Sequence, residues 1–271
     1  MLTDPGGRVI DYLRISITDR CNLRCIYCMP PEGVPLRTHS DILTYDEIVA
    51  FASFAVSRGI SKIRITGGEP LVRKGVEKLV AMLSAMEGVA DLSLTTNGQL
   101  LTAMAPTLKA AGLHRVNISL DTLDPELYAQ ITRGGALEQT LAGIRAAKSA
   151  GLNPVKINCV IDVDDDTHKG DPQKDQMLQF AHNEGLDVRF IRRMSLATGA
   201  FSVVEGGSGG DCGRCNRLRL TADGILKPCL FSDLGYNIRT MGHSEALEAA
   251  VQNKPSRGSH NLSGTFYGIG G

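Results

Sequence analysis

The chain has 271 residues, and its 29 basic side chains balance its 29 acidic ones. That balance gives no bulk attraction to nucleic acid or to an anionic membrane, and the length suits one large α/β domain or a domain with an extension. No apolar run reaches the roughly 18 residues of a membrane span, and residues 1–10 carry Asp4 and no apolar leader core, so a cytoplasmic location is expected.

Strand-like and helix-like segments alternate. Strands are predicted over 11–17, 62–66, 91–95, 115–120, 155–161 and 187–192, and helices over 44–58, 71–86, 100–112, 124–132, 136–150 and 172–184. Thr44 and Glu47 form a capping box at the start of the first helix. Such β-α repeats imply a parallel sheet with right-handed crossovers, either open and doubly wound or curved into an incomplete (βα)6 barrel. Alternation within the strands bears on this choice. Leu13, Ile15 and Ile17 oppose Arg14 and Ser16; Ile63 and Ile65 oppose Lys62 and Arg64; Ile157 and Cys159 oppose Lys156 and Asn158. Strands covered on both faces are apolar on both. The polar, basic face therefore points to a ligand-filled barrel interior, with a simply hydrated face as the alternative. Cys159 falls on the helix side, as a core residue.

In parallel barrels the site lies at the C-terminal ends of the strands, and the unusual residues fall there. The first strand leads to Cys21, Cys25 and Cys28, spaced C-x3-C-x2-C. A zinc site usually takes four ligands, whereas three cysteines on a four-iron cluster leave one iron open to a small molecule. Half a zinc site or a buried cysteine group is the alternative. The second strand leads to Gly67-Gly68-Glu69-Pro70, where glycine permits close approach to the backbone. The third leads to Thr95-Thr96-Asn97-Gly98, the fourth to Ser119-Leu120-Asp121 and the sixth to Arg192-Arg193-Met194. Residues 206–210 then read as a flexible glycine linker. Beyond them stand Cys212, Cys215 and Cys229, with a hairpin turn at Asp223-Gly224. This second triad is either a zinc site short of a ligand or a second cluster with an open iron. A short helix is expected over 244–252, before a polar, glycine-rich end. The organisation read from these features is a partial barrel over 1–195, a linker over 196–211 and an auxiliary-cluster region with a tail over 212–271.

The first triad, with Tyr27 just before its last cysteine, resembles the signature of the radical S-adenosylmethionine (SAM) superfamily. Arg14 through Pro30, Lys62 through Pro70, Leu94 through Gly98, Val116 through Asp124, and Cys212 through Cys229 are similar to the molybdenum cofactor biosynthesis protein A (MoaA) family, the GTP 3′,8-cyclases. The terminal Gly270-Gly271 matches as well. The resemblance implies an incomplete six-repeat α/β barrel with a C-terminal element, two [4Fe–4S] clusters on Cys21/Cys25/Cys28 and Cys212/Cys215/Cys229, and SAM as cofactor. It implies SAM contacts from Tyr27, Gly68, Ser119 and Met194. It implies GTP contacts from Arg14, Lys62, Arg64, Thr95, Lys156, Arg189, Arg217 and Arg219, with Arg217, Arg219, Gly270 and Gly271 serving the catalytic step. The implied reaction, a lyase activity, converts GTP to 3′,8-cyclo-7,8-dihydro-GTP. An electron donor and a downstream pterin-synthesis enzyme follow from it as partners, a homodimer stays open, and no nucleic acid or membrane is called for. The alternatives are a radical SAM enzyme acting on another nucleotide or a peptide, and a non-catalytic metal-binding paralogue.

Two departures from the family pattern are visible. The stretches from Met194 to Cys212 and beyond Cys229 are short, as in a trimmed chain or a divergent paralogue, and Arg192 and Arg193 stand where the family carries an acidic residue and an aromatic. The tail, ending Phe266-Tyr267-Gly268-Ile269-Gly270-Gly271, is apolar for a free end, and it is expected to carry its carboxylate into the basic lumen. The core assignment of Cys159 has a direct check: Cys159→Ala should leave the iron content of reconstituted protein unchanged, and loss of about one cluster would make it a ligand.

Overall fold

The computed structural model describes residues 1–161, 172–262 and 266–269. Six parallel strands appear where the alternation predicts them: β1 (Tyr12–Ser16), β2 (Lys62–Thr66), β3 (Asp91–Thr96), β4 (Arg115–Ser119), β5 (Lys156–Ile161) and β6 (Asp187–Arg192). Between them run α1 (Tyr45–Ser57), α2 (Val76–Ser84), α3 (Leu101–Ala110), α4 (Pro125–Thr132), α5 (Leu137–Ser149) and α6 (Pro172–Glu184). The predicted helix over 71–86 is broken in two. A 3-10 turn at Pro70–Val72 comes first, and Gly75, at φ 78°, precedes the start of α2. A left-handed residue cannot continue a right-handed turn, and glycine adopts it without steric cost.

The chain then adds β7 (Arg217–Leu220), β8 (Ile225–Lys227) and β9 (Tyr236–Asn237), followed by α7 (Ile238–Met241), α8 (His243–Gln252) and α9 (Phe266–Ile269). All nine strands form one sheet in the order β6-β5-β4-β3-β2-β1-β7-β8-β9. Strand β7 pairs parallel with β1, and the β7–β8 pair is the antiparallel hairpin expected around Asp223-Gly224. The C-terminal region thus extends the barrel's own sheet. Leu13, Ile15, Ile63, Ile65, Leu94, Val116, Ile118, Ile157, Leu218 and Leu220 are fully buried against the helices in one apolar core. Cys159 is 2% exposed in that core, as its place in the alternation requires.

Residues 196–211 differ from the flexible linker read in the sequence. Glu205 exchanges two backbone hydrogen bonds of 3.1 Å with Phe190 on β6, and Val204 N–H donates to the Gly209 carbonyl at 2.8 Å. From the far side, Arg217 donates to the Ser208 carbonyl at 2.9 Å. The stretch therefore spans from β6 to β7, and its glycines serve packing. A Cβ on Gly206 would meet the Val188 carbonyl oxygen at 2.6 Å, and one on Gly210 the Ser202 oxygen at 1.9 Å. Among the described residues no helix is long and apolar enough to cross a membrane.

Helices α3 and α5 meet closely at Gly143, where a Cβ would stand 2.5 Å from the Gly98 carbonyl oxygen and 3.2 Å from the Leu101 Cβ. Backbone cannot yield as a side-chain end can. Gly143→Ala should therefore destabilise the fold by about 1–3 kcal/mol despite alanine's better helix propensity. A lower urea midpoint at unchanged m-value is the expected result.

Candidate active site

Two adjoining cavities open on the concave, polar side of the sheet. The first, of about 200 Å3, is lined by Cys21, Cys25 and Cys28 together with Tyr27, Gly68, Thr95, Ser119 and Met194. The second, of about 330 Å3, is lined by Cys212, Cys215 and Cys229 and by Arg14, Lys62, Arg64, Arg189, Arg217 and Arg219. Asn158, Ile191 and Met194 line both, so the two spaces meet there.

The cysteine loop has little secondary structure of its own and is laced to its neighbours. Arg24 and Ile26 donate backbone N–H groups to the carbonyls of Thr132 and Ile131 at 3.0 and 2.9 Å. Arg133, left-handed at φ 52°, caps α4 and directs its guanidinium to the Met29 carbonyl at 2.9 Å and the Arg24 carbonyl at 3.2 Å. On the other flank, Gly68 N–H donates to the Thr18 carbonyl at 2.7 Å and Glu69 N–H to the Arg20 carbonyl at 2.8 Å. A Cβ on Gly68 would stand 2.3 Å from the Arg20 oxygen. The close approach seen at this glycine is that of the chain's own backbone.

Two buried carboxylates complete the frame. Glu69, 1% exposed, accepts hydrogen bonds from Leu71 N–H at 3.0 Å, the Thr96 hydroxyl at 2.8 Å and Asn97 N–H at 2.7 Å. It ties the turn after β2 to the turn after β3, and Asn97 in turn donates to Asn22 at 2.8 Å beside Cys21. Burial raises the Glu69 carboxyl to about 7 against those three donors. Asp121 accepts from the Tyr27 hydroxyl at 2.7 Å and from Val160 N–H at 2.8 Å, joining the cysteine loop to the ends of β4 and β5. Sequence reasoning placed Glu69 and Asp121 at the right strand ends but gave them no role. Their signal was an acidic residue two or three positions beyond the end of a strand.

The thiols of the first triad are not joined by disulfides. Burial, then the charges of Asp121 and Cys28, pushes the Cys25 thiol up to about 12, and burial followed by Cys21 does the same to Cys28. An isolated thiolate is disfavoured there, and a cationic iron centre would reverse that preference. Thiolates on a single zinc converge at about 2.3 Å from one centre. Three cysteine thiols line this one cavity. Thiolates on a cluster each take a different iron, and this donor set fits that arrangement. The Thr95 hydroxyl is buried at the first cavity without a hydrogen-bond partner among the described residues, as is Arg189 Nε at the second.

The second cavity is strongly cationic. Arg219, Arg14 and Arg64 are in register on β7, β1 and β2. Burial lowers the Arg14 pKa well below its usual value, and the neighbouring Arg219, Arg64 and Arg217 charges act in the same direction. Arg64 and Arg219 are each brought down to about 10, chiefly by burial. Arg64 donates to Ser93 at 3.2 Å and, with the Asn117 amide turned so that its oxygen faces the guanidinium, to that oxygen at 3.0 Å, and Lys62 pairs with Asp11 at 2.8 Å. Two expected GTP contacts lie elsewhere: Thr95 lines the first cavity, and Lys156 lines neither, its ammonium held 2.5 Å from the Asp187 carboxylate. Arg192 and Arg193 line the first cavity, as do Phe266 and Tyr267 of the tail. Gly270 and Gly271 lie outside the described residues.

A profile described as the radical SAM superfamily matches residues 15–164. The GTP 3′,8-cyclase of Petrotoga mobilis is 43% identical, over 96% of this chain and 95% of the relative. Those of Peptoclostridium acidaminophilum and Moorella thermoacetica are each 46% identical, over 86% of this chain and 84% of the relative. The chain belongs to the GTP 3′,8-cyclase family of the radical SAM superfamily. Membership implies a [4Fe–4S] cluster and SAM. Among solved structures, Streptococcus suis SuiB bound to the precursor peptide SuiA superposes with a TM-score of 0.66 at 14% identity, over 91% of this chain and 67% of that one. At that identity the likeness concerns the fold, and it agrees with the partial barrel. Within the GTP 3′,8-cyclase fold, Glu69 sets a pH dependence of its own. Its carboxyl is raised from 4.5 to about 7 on folding, so the native state holds a proton that the unfolded state releases. Stability should fall as pH rises from about 4.5 to about 7, by up to ~3 kcal/mol. Urea titrations of wild type and Glu69→Gln across that window check this, the variant lacking the slope.

Proposed function

We propose that this chain is a radical SAM GTP 3′,8-cyclase, a lyase converting GTP to 3′,8-cyclo-7,8-dihydro-GTP for molybdenum cofactor biosynthesis. The observation that carries the reading is the meeting of a thiol-lined cavity with a cationic one at Asn158, Ile191 and Met194. In this reading Cys21, Cys25 and Cys28 hold the cluster that binds SAM, and Cys212, Cys215 and Cys229 hold a second [4Fe–4S] cluster. When bound, the first cluster supplies the electron that splits SAM to methionine and the 5′-deoxyadenosyl radical that takes the ribose 3′ hydrogen of GTP.

The chain's own residues bind, orient and exclude. Tyr27, Gly68, Thr95, Ser119 and Met194 surround the SAM side, with the Thr95 hydroxyl available as a donor. Arg14, Arg64, Arg189, Arg217 and Arg219 face the substrate. A triphosphate relieves their mutual repulsion, and guanidinium groups grip phosphate through paired hydrogen bonds. An uncharged peptide would leave that repulsion in place, which favours a nucleotide. Val160, Ile191 and Met194 present apolar surface near the junction and keep water from the reacting carbon, so that orientation does most of the catalytic work. Phe266 and Tyr267 bring the tail to the first cavity, which supports a lumenal role for Gly270 and Gly271. Lys62 and Lys156, committed to Asp11 and Asp187, would join the substrate only by exchanging partners. The reading includes an external one-electron donor, a downstream pterin-synthesis enzyme and a cytoplasmic setting.

Cys21→Ala, Cys25→Ala or Cys28→Ala should abolish SAM cleavage in anaerobically reconstituted protein. Arg217→Ala with Arg219→Ala should retain SAM cleavage but weaken GTP binding by about 1.5–3 kcal/mol for each charged hydrogen bond removed. Calorimetric titration with GTP measures this, and unchanged affinity in the double variant would rule out the nucleotide assignment.

A further inference from the structure

The second triad is assembled from two separate stretches, Cys212–Cys215 and Cys229, and one buried cation joins them. Lys254, 6% exposed, directs its ammonium to the Arg217 carbonyl at 2.7 Å and to the Pro228 carbonyl at 2.6 Å. The first acceptor lies two residues beyond Cys215 and the second immediately before Cys229. Its charge lies close enough to act on both Cys215 and Cys229. The backbone around Lys254 is itself fixed. Arg8, paired with the buried Asp4 at 2.6 Å, donates to the Cys212 carbonyl at 2.7 Å and the Pro255 carbonyl at 2.8 Å. Burying an ammonium is costly unless its hydrogen bonds and a counter-charge are in place. Two carbonyls supply hydrogen bonds but no negative charge. Among the described residues, the neighbouring groups able to carry negative charge are Cys215 and Cys229, whose sulfurs would be negative when they hold iron.

We infer that Lys254 is a positioning residue for the second cluster, clamping the two ligand stretches together and supplying a fixed positive charge that stabilises the cluster's reduced form. This rests on the reading of Cys212, Cys215 and Cys229 as cluster ligands. Hydrogen bonds and net charge near the sulfurs set an iron–sulfur potential, and a cation beside a cluster favours the state with the extra electron. Lys254 therefore raises the potential of the second cluster relative to the same cluster without it. No side chain placed against SAM or GTP takes part in this clamp.

Three holoenzyme variants separate the two functions. Lys254→Arg keeps the charge, Lys254→Gln keeps a donor without the charge, and Lys254→Met removes both. Each is reconstituted anaerobically, its iron and sulfide are counted, and the midpoint potential of the second cluster is read by redox titration with electron paramagnetic resonance. A Cys21→Ala, Cys25→Ala, Cys28→Ala background isolates the second cluster's signal. The expected result is a more negative midpoint in Lys254→Gln at full iron content, and a potential near wild type in Lys254→Arg. Loss of the second cluster from Lys254→Gln with retention in Lys254→Arg supports the same role, because the charge is then what the cluster needs. An unshifted midpoint in Lys254→Gln at full iron content overturns the inference while leaving the second cluster in place. A single cluster in the wild-type chain overturns the reading of the second triad, and this inference with it.

Discussion

Arg219, Arg14 and Arg64 stand side by side on three adjacent parallel strands, and most of the interior follows from that row. Strands in a sheet lie about 4.8 Å apart, and like charges directly opposite one another destabilise the pairing. The Arg219 and Arg64 charges both act against that of Arg14 between them. What holds the row is the other face of the same strands. Leu13, Ile15, Ile63, Ile65, Leu218 and Leu220 are completely buried, and each contributes roughly 1.5–3 kcal/mol. A slip of one residue would turn all six to the cavity. The apolar face thus fixes the cationic face. Burial lowers the pKa of Arg14, Arg64 and Arg219 alike, and neighbouring cations act in the same sense.

The pairing of β7 with β1 has a second consequence. It brings Cys215, two residues before β7, to the same basin as the arginines of β1 and β2. The C-terminal region could have stood apart as a small metal-binding module. Instead it shares hydrogen bonds with the barrel's first strand, and residues 200–209 bridge from β6 to β7 along its open side. That bridge supplies Phe201, Ser202, Val204 and Gly207 to the wall of the second cavity. The partial barrel is therefore closed laterally by irregular chain, and the cavity's shape depends on glycines packed against backbone oxygens. Phe201 stacks on Phe231 with ring centroids 4.4 Å apart, which anchors the bridge to the segment following Cys229.

The sheet, its helices and the basic interior were legible in the sequence because period-two alternation reports burial directly, and β1, β2 and β5 carry it. Cys159 was assigned correctly by the same rule. The first cysteine triad stood out because three thiols within eight residues are rare without a metal, and all three line one cavity. Other features depend on contacts between segments far apart in the chain and leave no local pattern. Glu69 is in reach of Thr96 and Asn97 only because β2 and β3 are neighbours. Lys254 reaches Arg217 and Pro228 only after α8 has returned beneath the hairpin. The hydrogen bonds made by residues 204–209 left no trace in the sequence for a related reason. Glycine enrichment marks both mobile chain and chain pressed against backbone, and composition cannot distinguish the two. Lys156 was expected at the substrate from the family resemblance and from its strand face, and its pairing with Asp187 depends on the neighbouring strand.

The stretch from Cys21 to Cys28 shows how a site can be rigid without regular structure. It is extended or turned throughout, so its geometry comes from outside itself. The end of α4 contributes backbone carbonyls to Arg24 and Ile26, the turn after β2 binds the carbonyls of Thr18 and Arg20, and Asp121 holds Tyr27. Each tether starts from the end of a different strand or helix, so movement of any one element would disturb the thiols. Arg133 makes the point most directly. A non-glycine residue in the left-handed region is uncommon and carries a conformational cost, and the next residue, Gly134, would adopt that conformation freely. The helix ends one residue earlier, on arginine, and that residue's guanidinium reaches the Met29 and Arg24 carbonyls of the cysteine loop. The backbone cost at Arg133 is offset by two charge-assisted hydrogen bonds, and the direction of the α4 cap is set by what the cysteine loop requires.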